Sequence, residues 1–196
     1  QPVIAGWNLA RFAETLLPLL HPDPGRALTL AREAVGAYAG LHRRLWLAGM
    51  RSKLGLLNEE TDDDSLVEDL LAVMRQQQAD FTNTFRELAT QRPKDAPLFQ
   101  TPDYLAWHAR WRARRARQDD PVAASRRVMR EANPAVIPRN HQVEAALEAA
   151  VARGEYHPLT RLLGVLSRPY ADTPDQAEYR LPPPPSDRAY RTFCGT

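Results

Sequence analysis

Trp7-Asn8-Leu9-Ala10-Arg11-Phe12-Ala13-Glu14-Thr15-Leu16-Leu17-Pro18-Leu19-Leu20 sets the reading of the whole chain. Leu9, Phe12, Ala13, Leu16, Leu17 and Leu20 recur at steps of three and four, which gathers them on one side of a helix, until Pro22 and Pro24 end it. Working outward, a second helical run from about Arg26 to Lys53 lays Leu28, Ala31, Val35, Tyr38, Ala39, His42, Leu45 and Trp46 along one stripe. Gly55 then supplies a stop, because glycine tolerates the left-handed backbone on which helices close. Asp62-Asp63-Asp64 stands before Ser65, with Glu68 three residues on, so Ser65 is expected to cap the next helix while the carboxylates favour its positive end. Leu66, Leu70, Leu71 and Met74 face inward from there, and the helical pattern is expected to carry on through Phe81, Phe85 and Leu88 to a break at Pro93.

The later half repeats this pattern with more punctuation. Thr101-Pro102-Asp103 opens a helix, proline suiting its first turn, and leads into Tyr104, Leu105, Trp107 and Trp111. Asp119-Asp120-Pro121 opens another, which Asn133-Pro134 ends. Asn140 is placed to cap a helix carrying Val143, Ala146, Leu147 and Val151, with Gly154 as its stop, and Leu159, Leu162, Leu163 and Leu166 form a last short one. Beyond Pro169 the composition turns to proline and polar residues, as in an extended tail laid over a surface. Alternating valine-rich runs are missing, so the fold class is all-α.

At 196 residues, 43% hydrophobic and a formal charge of +2, the chain has the composition of an ordinary globular protein with one sizeable core or two small ones. Arg11, Glu14, Pro18, Arg43 and Arg44 interrupt its apolar stretches, so no membrane span and no membrane partner are expected. A single cysteine fits a reducing compartment better than a disulfide-built secreted domain. The chain opens on Gln1-Pro2-Val3 and goes straight into an amphipathic segment, which reads as a piece of a longer polypeptide.

The chemistry-bearing motifs are few. Asp62, Asp63 and Asp64 lack the glycine and the alternating ligands of a calcium loop. His21, His42, His108, His141 and His157 are scattered without i, i+4 pairing, so no metal is assigned. There is no phosphate-cradling glycine loop and no nucleophile elbow, hence no catalytic and no cofactor-binding residue is assigned in this chain. Eight arginines, Arg110, Arg112, Arg114, Arg115, Arg117, Arg126, Arg127 and Arg130, stand against Asp119 and Asp120 alone. Such a density attracts phosphates, but Arg110, Arg114 and Arg117 share a face beside Trp107 and Trp111, where guanidinium groups stack on rings or pair with carboxylates of a neighbouring helix. The low net charge and the lack of a reading motif disfavour nucleic acid as a partner. Trp7, Trp46, Trp107 and Trp111 read as core anchors, and Pro138-Arg139-Asn140 as an interhelical turn in which Arg139 bonds helix-end carbonyls.

Gln1-Pro2-Val3-Ile4-Ala5-Gly6-Trp7-Asn8-Leu9, Met50-Arg51-Ser52-Lys53-Leu54-Gly55-Leu56, Asp80-Phe81-Thr82 with Phe85-Arg86, and Met129-Arg130-Glu131-Ala132-Asn133-Pro134-Ala135-Val136-Ile137-Pro138-Arg139-Asn140-His141 resemble successive blocks of the selenoprotein O (YdiU) family. Arg168-Pro169-Tyr170 and the terminal Thr192-Phe193-Cys194-Gly195-Thr196 continue the resemblance, so that it covers essentially the whole chain. It implies the helical C-terminal part of a protein-kinase-like fold, divided into late large-lobe helices over 1–92, a helical extension over 93–166 and an extended proline-rich tail over 167–196. It further implies a protein adenylyltransferase of the bacterial cytoplasm that uses ATP with magnesium or manganese to transfer AMP to serine, threonine or tyrosine of protein substrates. The nucleotide-holding residues would lie in a kinase-like part N-terminal to Gln1, leaving these 196 residues inactive alone, and an apolar face along the Trp7 helix would be exposed where that part packs. Cys194 occupies the position that the family uses for redox control. The residues by themselves leave open an independent helical interaction or scaffold domain and an arginine-mediated nucleic-acid binder.

Overall fold

The structure, a computed structural model, describes residues 1–90, 96–119 and 122–184, and among them there are helices and no strands. Helix α1 (Pro2–Leu20) and helix α2 (Pro24–Leu54) form a hairpin. Asp23 turns the corner, its Oδ1 accepting the amide of Arg26 at 2.7 Å, with Pro24 in the first turn. Gly6 faces the Tyr38 ring across the hairpin, at a distance where a Cβ would make ordinary contact with it. At 31 residues α2 is about 46 Å long, and only its last turns, through Met50 and Leu54, enter the main core.

That core is closed by α3 (Asp63–Gln76), α4 (Phe81–Thr90), a short turn at Pro97–Gln100, α5 (Pro102–Ala116) and α6 (Val122–Ala132). Leu54, Val67, Leu70, Phe85, Trp107, Trp111 and Met129 fill its centre. Trp107 and Trp111, one turn apart on α5, stack at 5.8 Å, and their indole N–H groups donate to the carbonyls of Leu66 (2.8 Å) and Leu54 (2.9 Å). Both rings therefore bury their area without orphaning a donor. Gly55 ends α2 at φ +70°, and a Cβ there would meet Met129 Cγ at 2.8 Å, so the stop is also a packing contact with α6.

Helices α7 (Asn140–Arg153) and α8 (His157–Leu166) build a second, smaller core from Val136, Ala146, Leu162, Val165 and Tyr179. The stretch after Pro169 lies over this core in two short turns, Pro174–Gln176 and Glu178–Arg180, with Gln176 and Tyr179 buried. The two cores meet across a polar seam. Asn133 Nδ2 donates to the carbonyls of Lys53 (2.9 Å) and Met129 (2.8 Å), Arg86 donates to the carbonyls of Asn133 (2.8 Å) and Tyr170 (3.2 Å), and Asn83 Nδ2 donates to the Arg180 carbonyl (3.1 Å).

Several boundaries differ from the sequence reading. The single run expected from Ser65 to Pro93 is two helices, because Gln78 adopts φ +49° and Asp80 restarts the chain by accepting the Asn83 amide at 2.8 Å. Pro93 itself lies outside the described residues. Helix α3 begins at Asp63, two residues before the expected cap, and Ser65 instead donates its hydroxyl to the Asp62 carbonyl. Asn140 is the first helical residue of α7 and Arg139 occupies the cap position, without a capping bond.

Candidate functional site

The most unusual surface belongs to α1. Ala10, Ala13, Leu16 and Leu17 lie half-buried towards α2, yet the helix also carries Val3, Ile4, Trp7, Phe12 and Leu19, all exposed. No residue of this helix is buried. Its charges, Arg11 and Glu14, satisfy one another, and Arg11 also sits over the Trp7 ring at 5.7 Å. Large apolar side chains left exposed together on one helix mark a surface that another body covers. Trp7, expected to anchor the core, is 60% exposed, which corrects that expectation, while an apolar face along this helix is present as expected. Beside it, Ala10, Leu17, Leu28, Ala31 and Val35 line an apolar groove of about 380 Å³ between α1 and α2.

The carboxylates of the interior are committed to arginine. Asp63, wholly buried at the start of α3, accepts from Arg51 Nε (2.8 Å), Arg114 Nε (2.7 Å) and the Glu60 amide (2.9 Å). Burial alone would raise its pKa, but these donors outweigh it and hold the carboxyl below the ordinary range. Asp80 behaves the same way: burial opposes its charge, and Arg139, bidentate at 2.7 and 3.1 Å, together with the Asn83 amide keeps it ionised. Arg139 thus secures the cap of α4 and bonds no helix-end carbonyl; Lys53 does that, donating to the Ala132 carbonyl at the end of α6 at 2.9 Å. Among the described residues no three of His, Cys, Asp or Glu gather into a metal-binding group. With Asp63 and Asp80 already engaged by guanidinium groups, these two carboxylates do not fit a magnesium nucleotide.

The arginine cluster divides in two. Arg110 pairs with Asp69, Arg114 with Asp63 and Glu60, and Arg117 with Glu60, which is the neutralised face that the spacing indicates. Arg112, Arg115, Arg126, Arg127 and Arg130 form no ion pair among the described residues. Arg115 stacks over Trp111 at 4.8 Å and donates to Ser125 Oγ at 3.1 Å.

Cys194 lies outside the described residues, so the structure brings nothing to it. The roles that sequence reasoning missed are those of Asp63, Asp80, Arg51 and Arg86, and the signal available for them was weak. A carboxylate within one turn of a helix start is common, and only its burial sets it apart.

Comparison with known proteins agrees with this geometry. The family described as protein adenylyltransferase SelO matches residues 1–167. Curated relatives named protein nucleotidyltransferase YdiU are 55% identical in Alkaliphilus metalliredigens, 54% in Syntrophotalea carbinolica and 51% in Brevibacillus brevis, each over all 196 residues. The chain spans about 40% of the length of these relatives.

Proposed function

The chain belongs to the SelO family of protein adenylyltransferases, and from that premise we propose that it is the helical support of an enzyme that transfers AMP from ATP to serine, threonine or tyrosine hydroxyls of proteins. In that reaction the hydroxyl oxygen bonds to the α-phosphorus as the bond to diphosphate breaks and the hydroxyl proton leaves to a base. The catalytic part, with ATP and its magnesium or manganese ion, is a kinase-like body N-terminal to these residues, and it covers the outer side of α1. One observation carries this reading: Val3, Ile4, Trp7 and Phe12 stand exposed on one helix, in a chain that spans about 40% of its relatives' length. The pairing of the buried carboxylates Asp63 and Asp80 with arginines is compatible with this division of labour.

Calorimetric titration of magnesium ATP tests the proposal. Uptake by the complete protein and none by the 196 residues alone is expected, and tight uptake by the 196 residues overturns it. In the complete protein, Trp7→Asp is expected to lower AMP transfer at least tenfold by placing a charge under the covering body; undiminished transfer refutes the docking face.

Redox control through Cys194 belongs to the same proposal. The chain has no second cysteine, so any disulfide of Cys194 takes its partner from outside these residues. AMP transfer by wild type that depends on thiol reductant, with a Cys194→Ser variant insensitive to it, is the expected result. Equal behaviour of the two proteins under oxidising and reducing conditions eliminates the role. Cytoplasmic residence is also proposed, supported by the single cysteine; no helix among the described residues is long and apolar enough to cross a membrane.

A further inference from the structure

Where the end of α5 meets the first turn of α6, a cleft of about 280 Å³ is lined by Arg112, Arg115, Gln118, Val122 and Ser125. Its polar neutral groups are already satisfied. Ser125 Oγ donates to the Gly55 carbonyl at 2.7 Å while accepting from Arg115, and Gln118 bridges the Leu57 amide and the Gly55 carbonyl at 2.6 and 3.2 Å. The cations have no carboxylate partner among the described residues. Arg126 approaches closely enough for its charge, added to the effect of burial, to lower the pKa of Arg115, and Arg126 Nε is itself buried without an acceptor. Asp119, the nearest described acid in sequence, makes no ion pair with Arg112, Arg115 or Arg126. Two guanidinium groups held together without a carboxylate repel at short range in a partly desolvated place, where only a counter-charge removes the cost.

We propose that this cleft binds a small phosphoryl anion, phosphate or diphosphate, gripped by Arg112 and Arg115, with Arg126 adding its charge from beside the lining. Planar guanidinium forks match the oxygens of a phosphoryl group two at a time, and the first turn of α6 adds the positive end of its dipole. The remaining cations of the cluster do not compete for it: Arg110, Arg114 and Arg117 are held by carboxylates, and Arg127 lies exposed and lines a different cleft with Arg130 and Glu131.

Hydrogen exchange of the complete protein, followed peptide by peptide at constant ionic strength, tests the site. Inorganic phosphate or diphosphate is expected to protect peptides covering 109–119 and 122–132 saturably, with chloride giving no such effect. Arg112→Gln is expected to weaken the protection by about tenfold or more, the loss of one charge-assisted hydrogen bond, and Arg126→Gln to weaken it less, by the loss of a neighbouring charge, while Arg127→Gln removes an equal charge without effect. Arg112 is exposed, so its variant folds and carries the test even if the Arg126 variant does not. Protection that is absent in wild type, reproduced by chloride, or unchanged in Arg112→Gln overturns the proposal. Protection by a single-stranded oligonucleotide with none by phosphate or diphosphate overturns it too, in favour of a polyanion.

Discussion

Replacing Asp63 by asparagine keeps the shape of the side chain and removes its charge, which isolates what the buried carboxylate contributes. Its two oxygens accept from Arg51 Nε, Arg114 Nε and the Glu60 amide, at 2.8, 2.7 and 2.9 Å. Asparagine has one acceptor oxygen, and its amide nitrogen would point a donor at donors. Breaking a buried ion pair costs about 3–5 kcal/mol. Arg51 keeps Glu59 (2.8 Å) and Arg114 keeps Glu60 (2.9 Å), so the lower end, about 3 kcal/mol, is expected at neutral pH. The pH dependence has a definite sign. Asp63 has a folded pKa below its unfolded value, so its contribution is complete above the ordinary carboxylate range and is lost as the pH falls through the folded value. In urea melts followed by near-ultraviolet circular dichroism, the gap between wild type and Asp63→Asn should be constant above about pH 5 and close in acid. Adding Arg114→Met to Asp63→Asn should cost less than the sum of the single changes, because the second change removes a cation the first had stranded. A difference below about 0.5 kcal/mol at neutral pH, or one that ignores pH, would refute the account of this carboxylate.

Gly55→Ala should destabilise the chain by about 2–4 kcal/mol, combining the left-handed backbone at φ +70° with a methyl group 2.8 Å from Met129 Cγ, as a thermal or urea melt will show. Arg139→Lys keeps the charge but loses the bidentate grip on Asp80, so a loss of about 1–2 kcal/mol is expected by the same measurement, and Arg139→Ala should cost more. Asp80, like Asp63, is held below the ordinary carboxylate range, so Asp80→Asn should lower stability at neutral pH and converge with wild type as the pH falls through the folded value of Asp80. Trp7→Ser should leave the stability of the 196 residues within about 0.5 kcal/mol of wild type while reducing self-association in sedimentation.

Local chemistry made much of this fold readable. Glycine stops at Gly55 and Gly154, with φ +70° and +69°, and the Thr101-Pro102 opening are decided within a few residues, and each stands where its residues place it. The i, i+4, i+7 spacing of Arg110, Arg114 and Arg117 likewise marks one face, and that face does meet carboxylates. The break at Gln78 was not readable, because Gln77-Gln78-Ala79 carries no glycine, proline or asparagine to announce it. Nor was the choice among Asp62, Asp63 and Asp64. Which of three identical side chains turns inward depends on partners 12 and 51 residues away, Arg51 and Arg114. Trp7 shows a further limit: periodicity locates an apolar face but not the body that covers it.

The bond from Asn83 to the Arg180 carbonyl has a geometric consequence for the cysteine. It pins the backbone to α4 one residue before Leu181, and Cys194 lies 13 positions beyond Leu181. Fully stretched, that tether measures at most about 45 Å. Every encounter of the sulfur with another group of the same molecule must fall inside a sphere of that radius drawn about the anchor, and cutting the Asn83 bond would move its centre.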